Sequence, residues 1–149
     1  MMGERADPEI AARVQASFDR QAFMATLGAR LASIAPGHVV IEWPFASHLT
    51  QQHGFLHAGV VASIADSACG YAALSLMPRG VAVLSVEFKV NLMKPAAGER
   101  FRAVGRVIRA GRTLSVCAAE VEAWQGDQQT IIAVMQGTMM AVDNPSLVD

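Results

Sequence analysis

The sequence predicts an α+β fold in which a strongly curved antiparallel sheet wraps one long helix. Three observations predict it. From His57 to Ser75, nearly every residue that is not Val, Ile, Leu or Tyr is Ala, Gly, Ser or Cys. Small side chains let a helix lie very close to whatever encloses it, and helix-interior glycines such as Gly59 and Gly70 need a packing reason. The runs that flank this helix alternate apolar and polar residues or are rich in β-branched ones, and turn residues separate them, as in strands. One carboxylate, Asp66, stands inside the apolar run, where an acid is costly unless paired or working.

Taken in order, Asp7-Pro8-Glu9 reads as a helix start, with Asp as cap and Pro at the first helical position. Ile10, Val14 and Phe18, continued by residues 23–27, form an amphipathic stripe that should dock on the main body and cover a pocket edge. Residues 28–34 are a short strand, Ala35-Pro36-Gly37 a turn, and residues 39–43 a strand stopped by Pro44. After the helix, Met77-Pro78-Arg79-Gly80 breaks the pattern. Residues 81–93 then show a period of two. Ala82, Leu84, Val86, Phe88, Val90 and Leu92 share one face, and Ser85, Glu87, Lys89 and Asn91 the other. Residues 94–98 connect to strands at 99–109, 113–124 and 129–142, with turns at Ala110-Gly111-Arg112 and Gln125-Gly126-Asp127. The last four strands should form an antiparallel meander, and Asn144-Pro145-Ser146 should end the ordered part. One domain is expected. It comprises a helical extension with the first short strand (1–36), a main body (37–142) and a tail (143–149).

Composition bounds the partners. A length of 149 residues suits one domain with a full core, and a net charge of -1 with scattered basic residues leaves no nucleic-acid footprint. Charged residues make up 17% and hydrophobic ones 52%, which is apolar for a monomer and points to buried subunit interfaces. No run approaches a membrane-spanning length, and the first residues lack the apolar core of a signal peptide. Cys69 and Cys117 suit reduced, buried thiols, so a cytoplasmic location is expected.

Helix geometry adds a sharper expectation. His57 and Asp66 are nine residues apart, which places them on nearly opposite faces and separated by a rise of ~13 Å. They cannot pair within one helix. A site that uses both must take the second residue from a symmetry mate.

Several spaced motifs resemble one family. Gly54-x-x-His57-Ala58-Gly59 with Asp66 nine residues on, Ser85-Val86-Glu87-Phe88, Lys94-Pro95-Ala96-Ala97-Gly98-Glu99 and the Ala110-Gly111-Arg112-Thr113 hairpin together resemble the PaaI-type hotdog acyl-CoA thioesterases. The resemblance covers residues 39–142 and implies a hotdog fold, hydrolysis of an acyl-CoA to free acid and CoA, no metal or redox cofactor, and a homodimer assembling into a homotetramer. By position it implies that Asp66 is the carboxylate that activates water or attacks the thioester carbon. Gln51, six residues before the histidine, would orient the water. The Ala58 and Gly59 amides would polarise the carbonyl, and Ser85 would assist the acid across the dimer interface. The family has Gly where this chain has Ala58. An amide donor survives that change if the local φ is negative, and is strained if φ must be positive.

The chemistry agrees without the analogy. Backbone amides at a helix N-terminus are pre-aimed donors for a developing oxyanion. An Asp with a pKa near ~3.9 is ionised at neutral pH unless burial raises it, which suits a base or nucleophile. Gly54 and Phe55 in the loop are candidate substrate contacts, and Lys94, Arg109 and Arg112 either hold CoA phosphates or are solvated turn residues. Bland readings stand beside these. Asp66 is satisfied by Ser63, Ser67 or Ser85 as a helix-interior acid, His57 either takes part in catalysis or merely caps the helix, and Cys69 packs. His48, His53 and His57 lack the further ligands of a metal shell. Two other functions remain open: a hydratase or dehydratase of enoyl-CoA on the same fold, and a non-catalytic acyl-CoA-binding module.

Overall fold

The computed structural model describes residues 5–147 and 149. Its elements are α1 (Pro8–Arg20), α2 (Ala22–Thr26), β1 (Arg30–Ala35), β2 (His38–Pro44), α3 (Ala58–Leu74), β3 (Ala82–Leu92), β4 (Arg100–Ala110), β5 (Leu114–Gln125) and β6 (Gln128–Val142). All strand pairs are antiparallel, in the order β1-β2-β4-β5-β6-β3. The sheet curls around α3, which touches β2, β3, β4, β5 and β6.

One close approach explains the composition of α3. A Cβ on Gly105 of β4 would stand 2.4 Å from the Ala68 carbonyl carbon and oxygen and 2.8 Å from the Cys69 nitrogen. The strand backbone therefore lies against the helix backbone, and only small residues fit between them. Ala65, Ala68, Cys69, Ala72 and Ala73 fill this seam and are buried. Both thiols are free and buried. Burial pushes the Cys117 thiol up to about 11 and the Cys69 thiol further, so neither is a nucleophile at neutral pH. The opposite stripe of α3 carries Ala62, Ser63, Asp66, Ser67 and Gly70, all half-buried. The sheet does not cover that stripe.

Four expectations are corrected. The N-terminal stripe is two helices, because Gln21 takes an extended conformation (φ -81°, ψ 95°) that ends α1. The predicted cap is present, with the Asp7 carboxylate accepting from the Glu9 amide at 2.8 Å. The meander holds only for β4-β5-β6, since β3 lies beyond β6 at the sheet edge and β2 takes the place beside β4. Strict alternation in β3 fails at a bulge between Ser85 and Glu87. The extra residue reverses the parity of the strand. Before the bulge Val83 and Ser85 face α3, and after it Val90 and Leu92 do, while Glu87, Lys89 and Asn91 face outward over Arg106. Order also continues past residue 146. The Asp149 carboxylate accepts from the Val83 amide at 2.8 Å and from the Ser17 hydroxyl at 3.0 Å, pinning the tail between β3 and α1.

The glycines of the seam and of the open stripe should respond oppositely to alanine. Gly105→Ala must push two backbones apart, and we expect a loss of about 2–3 kcal/mol or more in urea unfolding. A Cβ on Gly70 meets no atom within 4 Å. Gly70→Ala should therefore raise stability by about 0.5–1 kcal/mol, the ordinary helix-interior gain.

Candidate active site

The loop before α3 is held at both ends. The Leu56 amide donates to the Ala96 carbonyl (3.2 Å) and the His57 amide to the Leu49 carbonyl (2.9 Å). Between them the Gln51 amide bonds the Phe55 carbonyl at 2.9 Å, and Gly54 turns the chain at φ +85°. The Gln51 side-chain oxygen accepts from the His53 amide, and Gln51 lines an apolar cavity of about 480 Å³. Phe55, His57, Ala58, Val61 and Lys94 line the same cavity.

His57 is the N-cap of α3. Its Nδ1 accepts from the Gly59 amide at 2.8 Å, and that bond leaves the ring proton on Nε2. Gly59 has its packing reason here, because a Cβ would stand 3.0 Å from that nitrogen. The expectation that both the Ala58 and Gly59 amides face a substrate is therefore corrected. His57 takes the Gly59 donor, while the Ala58 N–H donates to no acceptor among the described residues. No non-glycine residue has a positive φ, so Ala58 sits unstrained where the family has glycine. His57 caps the helix and sets the imidazole against the cavity in one stroke.

Asp66 lies in a different cavity. Its Oδ1 accepts from the Ser85 hydroxyl at 2.7 Å, and that hydroxyl also touches Met139 Sδ at 3.4 Å. Burial raises the Asp66 pKa, and the Ser85 hydrogen bond opposes the rise. Ser85 was expected to act across an interface; it reaches the acid within its own chain, because the β3 bulge turns it inward. The Asp66 cavity, of about 180 Å³, shares no lining residue with the Ala58 cavity. One protomer thus holds the donor and the acid in separate places, as the helix rise requires.

The three basic candidates are also separated. Lys94 borders the Ala58 cavity, whereas Arg109 and Arg112 lie at the β4–β5 hairpin, level with Ser115, Met139 and Ser85 at the far end of the sheet. Among the described residues no three His, Cys, Asp or Glu stand close enough to share a metal ion. The sequence reading missed Ser17, Gln21 and Tyr71, and named Ser67 only as a partner for Asp66; all four wall the Asp66 cavity. Ser67 was signalled by the polar stripe on an otherwise apolar helix. Nothing local marks Ser17 or Gln21, because only the docking of α1 brings them there.

With this geometry, a curved six-stranded sheet around a helix whose N-terminus offers a free amide, the molecule is a hotdog protein. The family model of the Thioesterase superfamily matches residues 53–132, from the loop before α3 into β6. The chain belongs to this superfamily and is a thioester hydrolase, with PaaI among the proteins it is similar to. A thioesterase family protein from Silicibacter pomeroyi is 50% identical, with a TM-score of 0.88 over 94% of this chain and 99% of that one. A putative esterase of Halobacterium salinarum is 30% identical over 126 residues, 81% of this chain and 82% of its own. The acyl-coenzyme A thioesterase PaaI of Escherichia coli is 25% identical over 123 residues, 82% of this chain and 84% of that protein. Its structure has a TM-score of 0.81 over 90% and 94% of the two chains, a likeness of fold.

The raised pKa of Asp66 fixes the sign of a stability effect. A carboxyl that binds its proton more tightly when folded favours the fold at low pH and opposes it once ionised. Asp66→Asn should therefore raise the thermal midpoint at pH 7. The difference from wild type should shrink as pH falls through the carboxylate range and vanish below about 3.8, the ordinary Asp value. Melting curves from about pH 3 to about pH 8, spanning the titration, check this.

Proposed function

We propose that the protein hydrolyses an acyl-CoA to a free acid and CoA at a site built from two protomers, with Ala58 from one and Asp66 from the other. One observation carries the composite site. The two cavities border opposite ends of β3, with Ser85 at one and Leu92 at the other. The β3 edge is open, and Leu84, Val86 and Phe88 on it are exposed. A long apolar edge is a template for pairing. Antiparallel pairing with β3 of a second copy reverses the strand, so the Asp66 end of one chain falls beside the Ala58 end of its mate. Exposed Ile108, Leu114 and Ile131 suit a further contact that makes a homotetramer.

In this site the thioester carbonyl accepts from the Ala58 N–H, at the positive end of the α3 dipole. The ionised Asp66 directs attack. As a base it takes a proton from water while the water oxygen bonds the carbonyl carbon; as a nucleophile it bonds that carbon itself and water later cleaves the anhydride. In either route the C–S bond breaks, and the CoA thiolate leaves and is protonated. In this reading Gln51 holds the water, Phe55 and Lys94 contact the CoA arm, and Lys94 draws the phosphates; all three line the Ala58 cavity. Arg109 and Arg112 lie at the Asp66 end, so they serve CoA only across the dimer. The reaction as proposed draws on no cofactor. No helix among the described residues is long and apolar enough to cross a membrane, and a cytoplasmic location completes the proposal.

Complementation tests it. Pro is tolerated at the first position of a helix and lacks the N–H, and His57 already has the extended ψ of 139° that a following proline favours. Ala58→Pro and Asp66→Asn should each lower CoA release from acyl-CoA by about 10²-fold or more. Mixed by unfolding and refolding together, the two variants should regain about one quarter of wild-type activity, because random pairing makes half the dimers mixed and each mixed dimer holds one intact site. No recovery would place donor and acid in one protomer. Hydration of an enoyl-CoA without CoA release would make the hydratase the better reading, and tight acyl-CoA binding without turnover the binding module.

A further inference from the structure

Beside Asp66 the cavity has a polar wall that the carbonyl chemistry does not use. Gln21, at the break between α1 and α2, reaches across to α3. Its side-chain oxygen accepts from the Ser67 hydroxyl at 3.2 Å, and its NH2 group donates to the Tyr71 hydroxyl at 3.0 Å. The Tyr71 oxygen lies 3.4 Å from the Ser17 hydroxyl, which donates to Asp149 at 3.0 Å. This chain of bonds fixes the Gln21 amide in one orientation. It leaves one Gln21 N–H without an acceptor and the lone pairs of Ser67 without a donor, a matched pair on the wall of the cavity.

Gly70 opens the same cavity. It lies one helical turn after Asp66 on the uncovered stripe, and a side chain there would meet open space. A mid-helix glycine costs about 1 kcal/mol against alanine, and no close approach of protein offsets that cost here. What the missing side chain secures is room. The cavity of about 180 Å³ adjoins a second one of about 350 Å³ that shares Ser17, Gln21 and Tyr71 with it.

We propose that this cavity receives the acyl end of the substrate and that Gln21 and Ser67 select acyl groups carrying a hydroxyl. The inference rests on the thioesterase reading above. A hydroxyl both donates and accepts, so it satisfies the Gln21 N–H and the Ser67 oxygen together. A plain alkyl chain desolvates both and satisfies neither, and a site with buried polar groups left unpaired rejects such a ligand. Gln21 belongs to the N-terminal helices, outside the residues 53–132 that match the family model, and Ser67 lies within them, so the selectivity needs this chain's extension as well as the shared body.

Turnover of butanoyl-CoA, 3-hydroxybutanoyl-CoA and 4-hydroxybutanoyl-CoA tests this in wild type, Gln21→Leu and Ser67→Ala. The wild-type kcat/KM should favour at least one hydroxylated substrate over butanoyl-CoA by roughly 10-fold or more, and the ratio should fall about 10-fold in Gln21→Leu and drop also in Ser67→Ala. Gly70→Val should depress all three substrates by filling the cavity. A wild-type ratio near one, or a ratio that both variants leave unchanged, overturns the proposal. If wild type releases CoA from none of the three, the thioesterase reading fails, and calorimetric binding of the same compounds decides the pocket. Tighter binding of a hydroxylated compound, lost in Gln21→Leu, supports the selection, and equal affinities overturn it.

Discussion

The contact of Gly105 with the backbone at Ala68 and Cys69 is the constraint on which the rest of the molecule depends. Two main chains meet there with no side chain between them. The curl of the sheet about α3, the run of alanines along the seam and the burial of both thiols follow from that approach. It also decides which face of α3 stays outside. A sheet that close wraps one side of the helix tightly and leaves the stripe of Ser63, Asp66, Ser67 and Gly70 for other partners.

Those partners come from both ends of the chain. α1 and α2 supply Ser17 and Gln21, and the tail supplies Asp149, whose carboxylate ties α1 to β3. The acid is thus held in a small cavity that the sheet alone would not close. Burial raises its pKa, and Ser85 restrains the rise. The acid is placed where its charge works against stability.

The helix separates its two chemical ends. His57 spends the Gly59 amide on capping and leaves the Ala58 amide open, while Asp66 lies more than two turns along. Neither cavity holds both. In the proposed dimer, the open edge of β3, with its exposed Val86 and Phe88, pairs with its own copy and exchanges the places of the two cavities.

Much of this was legible in the residues. Small side chains from 57 to 75 predicted a tightly wrapped helix, Asp7-Pro8 its N-terminal companion, and turn residues the strands, because each is a local preference or a periodicity written in consecutive positions. The spacing of His57 and Asp66 settled that they cannot pair within one helix, since helical rise is fixed. Tertiary structure decided the rest. It placed β3 beyond β6, because strand order depends on which surfaces α3 leaves free. It turned Ser85 to the acid through a bulge that a period-two reading cannot foresee. It gave the Gly59 amide to His57 and left Ala58's open, because capping depends on side-chain geometry. It brought Gln21 to Ser67, 46 positions away, because distance along a chain says nothing of distance across a core.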